Sequence, residues 1–196
     1  MFINKYLYIY RTKIINGCLL LYKLKNIDMK KLSVLLFAFV SSISVFGQGK
    51  DVVDIAIGSP DHTTLVTAVK AADLVTTLKG KGPFTVFAPT NEAFNKLPEG
   101  TVANLLKPEN KAKLAKILTY HVVKGNLDAA AVMAAIKAGN GKVVLTTVSG
   151  VKLTASLDMG KVKLTDESGN SAYVTLADLK GSNGVVHVID GVLLPK

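Results

Sequence analysis

The spacing of apolar positions along the chain changes once, near Lys142. Before it, apolar residues recur at intervals of three and four. Leu65, Val66, Val69 and Ala72 would share one helix face, and so would Leu114, Ile117 and Leu118, with Lys111, Lys113 and Lys116 turned outward. After it the period is two. Residues 143–148, 151–155, 162–165 and 172–176 read as strands, separated by Ser149-Gly150, Asp158-Met159-Gly160 and Ser168-Gly169-Asn170. Val-Lys-Leu-Thr occurs at 151–154 and again at 162–165. Two matching tetrapeptides across a turn fit a β-meander with Lys and Thr on its exposed face. Helices first and strands mostly afterwards predict an α+β fold with a largely antiparallel sheet.

Punctuation refines this outline. Residues 51–57 read as a short helix or an extended lead-in, broken by Gly58-Ser59-Pro60. Asp61 is then placed to cap the helix carrying Leu65, and Leu74, Val75 and Leu78 form a further short turn. Thr101 would cap residues 102–106, and Pro108 suits the first turn of the next helix. That helix runs into Tyr120-His121-Val122-Val123, which reads as a strand, and Asp128 opens an Ala-rich helix ending at Ala138.

Two apolar segments stand out. In the first, residues 85–94, Val86 and Ala88 alternate with Thr85 and Phe87, as in a strand buried on both faces. Pro89 stops it, and Thr90-Asn91-Glu92 starts a helix with an acid in its first turn. In the second, residues 183–195, the β-branched run from Val185 to Ile189 is interrupted only by His187. Asp190-Gly191 offers a turn, and Val192-Leu193-Leu194 resumes an extended chain as a hairpin-like partner.

These segments, with Tyr120-His121 between them, resemble the two signature boxes and the Tyr-His motif of fasciclin-like domains. The resemblance covers about Asp51 to Pro195 and keeps the family's motif order. It implies a wedge of N-terminal helices packed on a mostly antiparallel sheet, extracellular adhesion or binding, and no family-wide enzyme activity. It also implies that Tyr120 and His121 lie beside the boxes, where in some adhesive members they belong to a cell-binding surface. They are the candidate binding residues. Some members resemble carriers of a small apolar ligand, lipid or pigment, and that alternative stands beside adhesion.

The N-terminal region changes how charge is read. Met29-Lys30-Lys31, an apolar stretch and a small residue at Gly47 make 29–47 a signal peptide, too short to span a bilayer, with a mature start near Gln48. Residues 1–28 are either an over-extended start or an extended leader. The expected organisation is therefore a single domain over 48–196, exported to the periplasm, cell surface or medium, with no membrane span after cleavage. The whole chain carries 24 basic and 14 acidic residues, net +10. Residues 1–47 hold seven of the bases and one acid, so 48–196 keeps 17 against 13, or +4. Its bases are all lysines, which argues against nucleic acid as a partner. The only cysteine, Cys18, lies upstream, leaving the domain without disulfides.

No catalytic constellation emerges from the residues. The three histidines, His62, His121 and His187, lack metal spacing, and no cofactor is expected. There is no thiol after Cys18 and no Gly-x-Ser-x-Gly elbow. Gly139-Asn140-Gly141-Lys142 lacks the Ser or Thr of a phosphate loop. His62 reads as a solvated helix-start residue, His187 as a strand residue bonded to backbone, and Asp190 as an acceptor of turn N–H groups. His121, next to Tyr120, is expected to tie the first segment to the second. The expected function is a non-enzymatic module binding a surface protein or glycan, the alternative being the apolar-ligand carrier.

Overall fold

The computed structural model describes residues 49–196. The expected signal peptide, the stretch 1–28 and Cys18 lie outside those residues. Helix α1 (Val52–Ile57) starts at a capping box, in which the Asp51 carboxylate accepts the N–H groups of Val53 and Asp54 at 2.9 and 2.8 Å and Asp54 accepts that of Asp51. A 3-10 turn, Pro60–His62, precedes α2 (Thr63–Ala71). Asp61 lies inside that turn and caps nothing. The α2 start is served from a distance, by Asn91 Oδ1 accepting the Thr64 N–H at 2.9 Å.

Short α3 (Val75–Leu78) leads to β1 (Phe84–Pro89) and α4 (Asn91–Asn95), where Thr90 accepts the Ala93 N–H at 3.2 Å as expected of a cap. Helix α5 (Thr101–Leu105) is capped by Gly100, at φ +78°, instead of by Thr101. A second 3-10 turn, Pro108–Asn110, opens α6 (Lys111–Tyr120), which buries Leu114, Ile117 and Leu118. Tyr120 still belongs to this helix, so the strand that follows, β2 (Val122–Lys124), is shorter than its apolar sequence suggests. Asp128 caps α7 (Ala129–Ala138) by accepting the Ala131 N–H at 2.7 Å.

The rest is the meander: β3 (Lys142–Thr146), β4 (Lys152–Asp158), β5 (Lys161–Thr165), β6 (Ser171–Gly181) and β7 (Gly184–Ile189). The seven strands run in the order β2-β1-β7-β6-β5-β4-β3, and only β1–β7 is parallel. The sheet is thus largely antiparallel, in an α+β fold. Its two ends meet, since Val123 bridges Thr147 and the Val148 N–H donates to Val122 O at 2.7 Å. Strand β7 has both edges occupied, by β1 and β6, which leaves no edge for the expected hairpin partner at 192–194. That segment leaves the sheet and is anchored by side chains instead.

Strand alternation divides the core in two. On one side Ala88 and Val186 pack with Leu65, Val69 and Leu118 of the helices. On the other, Phe87 and Ile189 join Tyr120, Val132, Ile136, Leu153, Leu164 and Leu193 inside the meander. The two signature strands therefore sit side by side between the two core clusters, buried on both faces. Gly184 permits this closeness: a Cβ there would lie 2.0 Å from Phe84 O.

Candidate functional site at the junction of the signature segments

Parallel pairing of β1 with β7 brings the two signature segments together, and the end of α6 delivers His121 to the same place. His121 is 3% exposed and Tyr120 fully buried. Because a carbonyl oxygen only accepts, the His121 Nδ1–H must be the donor to Ile117 O at 2.8 Å. Nε2 then carries a lone pair and accepts the Leu193 N–H at 3.1 Å. The His121 carbonyl accepts the Phe87 N–H at 2.9 Å. One residue thus joins the first segment to the tail of the second, as expected. The neutral ring satisfies both partners and an imidazolium would not, so burial holds the His121 pKa below its usual value.

Tyr120 donates its phenol hydrogen to Lys152 O at 2.9 Å, tying α6 to the meander. Burial first, and then the charges of Asp166 and Glu167, push its pKa up to about 12. The two rings meet edge to face with centroids 6.3 Å apart. The candidate binding pair is therefore internal, and its polar atoms bond the protein's own backbone.

Other polar side chains of the segments act in the same way. Thr85 Oγ1 donates to Gly125 O at 2.8 Å and accepts the Leu127 N–H at 2.9 Å. Asn183 accepts the Val52 N–H at 3.0 Å and donates to Leu78 O at 2.8 Å, so the start of β7 fixes α1 and the end of α3. His187 stacks on Phe87, donates from Nε2 to Leu127 O at 2.7 Å and accepts the Asp178 N–H at 3.3 Å. Asp190 accepts an N–H as expected, although the donor is Tyr173 on β6, at 2.7 Å, and not the turn beside it.

His62 departs from expectation. It is 4% exposed, with Nδ1 2.8 Å from Ser59 Oγ and Nε2 without a hydrogen-bond partner among the described residues. The turn before α2 folds it inward, and burial lowers its pKa. Asp166 was not singled out by the sequence at all. It is buried in the β5–β6 turn, where it accepts from Ser168 N, Asn170 N and Asn170 Nδ2, each at 2.9 Å, and from Leu194 N at 3.1 Å. The spacing Asp166-x-Ser168-x-Asn170 was a legible turn signal. Its hold on Leu194, 28 residues away, was not.

Beneath the helices lies an apolar slot of about 60 Å³, walled by Val53, Leu65, Val69, Leu78 and Leu118. Ile57, 51% exposed, and exposed Lys70 line its opening. Among the described residues no three His, Cys, Asp or Glu side chains gather where a metal could bind, and no helix is long and apolar enough to cross a membrane.

Comparison with known proteins agrees with this architecture. A profile of the fasciclin domain matches residues 60–195. The chain is 54% identical over 144 residues to protein sll1483 of Synechocystis, an alignment covering 74% of this chain and 73% of that protein. It is 37% identical over 158 residues to the immunogenic protein MPB70 of Mycobacterium bovis, covering 78% and 73%. It also matches the pig transforming growth factor-beta-induced protein ig-h3, 39% identical over 145 residues, covering 74% of this chain but only 19% of that protein. Among solved structures, a FAS1 domain pair from the insect cell adhesion molecule fasciclin I superposes with a TM-score of 0.50 at 23% identity. That match covers 66% of this chain and 45% of the other, and it speaks for the fold alone. With a profile match spanning both signature segments, and those segments paired as neighbouring strands of the sheet, the chain belongs to the fasciclin domain family.

Proposed function

We propose that the protein is an exported, non-enzymatic adhesion module that binds a surface component, protein or glycan, through its outer surface. The observation that carries this reading is the fate of the motif side chains. Thr85, Asn91, His121, Asn183, His187 and Asp190 all bond the protein's own backbone, so the motifs form a frame. A general base or nucleophile needs a reactive atom that a substrate can reach, and these atoms are already engaged. In this reading Tyr120 and His121 serve binding by holding that frame. A single small domain gains strength by display in many copies. The test is capture of labelled surface components by the purified protein, monomeric and arrayed on beads. Retention that rises steeply with copy number is expected. Turnover in a broad esterase, glycosidase and phosphatase screen, abolished by His121→Ala, would overturn the reading.

A second reading, carriage of a small apolar ligand, is supported by the slot under α1 and α2. Its walls are mostly aliphatic, with Phe87 and His121 also lining it, and apolar cavities take apolar guests. Mass analysis of gently purified protein separates the two. A stoichiometric apolar molecule supports the carrier.

A further inference from the structure

The outer face of the meander gathers four of the seventeen lysines of residues 48–196 against a single acid. Helix α7 covers the inner face, where Val132 and Ile136 pack on Leu153, Ala155 and Leu164. Strand alternation puts Lys152, Thr154, Ser156 and Asp158 of β4 on the opposite side. Register extends that side across the sheet. Lys142, Ser156, Lys163 and Tyr173 stand directly opposite one another on four successive strands. Lys152 faces Thr146, and Lys161 faces Asp158. Four lysines and one aspartate make this face +3, against +4 for residues 48–196 together.

Among the described residues outside this face, four of thirteen lysines make ion pairs, and the other nine are dispersed singly along the chain. Lys79 binds Asp51 and Asp54, Lys111 binds Asp73, and Lys96 lies near Asp190. On the meander face only Lys163 makes an ion pair, with Asp158 at 3.5 Å. Lys142, Lys152 and Lys161 have no ion-pair partner among the described residues. Tyr173 is held rigidly among these charges. Its hydroxyl donates to Asp158 at 2.8 Å, its N–H donates to Asp190 at 2.7 Å, and Lys163 Nζ lies 5.8 Å from its ring centroid.

We propose that this face binds an anionic polysaccharide, an inference that rests on the adhesion reading and names the partner's chemistry. Lys142 and Lys163 are two strand spacings apart, about 10 Å, so an extended polyanion laid across the strands meets successive cations. Thr154, Ser156 and Thr165 present hydroxyls to sugar hydroxyls, and Tyr173 offers a fixed ring edge. A nucleic acid would be met by several stacking rings and by arginine, and this face has one ring and none of the latter. Attraction of this kind is long-ranged and weakens with salt.

The test is binding of the purified full chain to dextran sulfate and polygalacturonate, with uncharged dextran, phosphatidylglycerol vesicles and single-stranded DNA as comparisons. Binding to at least one anionic glycan, none to dextran, and loss with added salt are expected. The triple variant Lys142→Glu, Lys152→Glu, Lys161→Glu, which spares the Lys163–Asp158 pair, should bind at least about tenfold more weakly with a nearly unchanged melt. The same charge change at Lys81, Lys113 and Lys137 should leave binding within about twofold. Equal loss in both triple variants, absence of glycan binding, or tighter binding to vesicles or DNA would overturn the proposal. If surface components are captured while no anionic glycan binds, this inference fails and adhesion stands. If glycans bind but no surface component is captured, adhesion itself fails.

Discussion

The signature junction and the meander are built from the same kinds of residue and spend them differently. At the junction β1 and β7 lie inside the sheet with both edges of each paired, and nearly every polar side chain crosses to another element: Thr85 to the turn after β2, Asn183 to α1 and α3, His121 to the tail. In the meander the threonines and lysines of β3, β4 and β5 stand on an open face, and only Tyr173, Lys163 and Asp158 are tied together. A buried polar group must find a partner or cost stability, whereas an exposed one is free to meet a ligand. Recognisable motifs here mark the frame, and the plain repeat Val-Lys-Leu-Thr marks the surface available for contact.

The largest expected effect lies at the junction. Gly184→Ala puts a Cβ against Phe84 O, where backbone must move, and should cost about 3 kcal/mol or abolish folding. A chemical denaturation curve compares it with Gly160→Ala in the β4–β5 turn, where nothing lies near the added atom and only the positive φ resists, at about 1–2 kcal/mol. Equal costs would break the contrast between the two regions.

His121→Ala comes next. It leaves the Leu193 N–H and Ile117 O without their buried partner, at a cost of about 1–3 kcal/mol. Thermal melts of this variant should fall well below the parent. A parental melt would remove His121 from the frame.

Acid should act on the junction and the α2 start before the meander. His62 and His121 have folded pKa values lowered by burial, so between those values and about 6.5 the unfolded chain binds more protons than the folded one. Their contribution is present above about 6.5 and is lost as pH falls through the folded values. Melting temperature should decline on that side, and the decline should be shallower in His62→Ala and His121→Ala than in the parent. An unchanged slope in both would contradict neutral burial. The smallest effect is expected on the open face, where Lys142→Glu or Lys161→Glu should change stability by no more than about 0.5 kcal/mol.

Local physics was legible in the sequence, and action at a distance was not. The α6 and α7 faces, the Asp128 cap and the four meander strands follow from apolar period and turn residues. The family resemblance placed Tyr120 and His121 beside both segments, and His121 links them as expected, while the parallel pairing of β1 with β7 was not foreseen. Tyr120 was misjudged because an aromatic residue before Val122-Val123 reads as strand, while the hydrogen bonds of α6 carry the helix through it. Residues 192–194 were misjudged because apolar chain after a turn suggests a hairpin, and nothing local reveals that both edges of β7 are taken. Asn91, Asn183 and Asp166 each stabilise a segment at least 27 residues away, which no local pattern announces.

The account's central claim is that the Tyr120–His121 junction supports the fold while contact with a partner is made elsewhere. The most direct measurement is a paired melt and dextran sulfate binding isotherm on His121→Ala and on the Lys142, Lys152, Lys161 triple variant, at a temperature where both are folded. The account predicts a lowered melt with parental affinity for His121→Ala, and a parental melt with weakened affinity for the triple variant. A parental melt with lost binding for His121→Ala would contradict it.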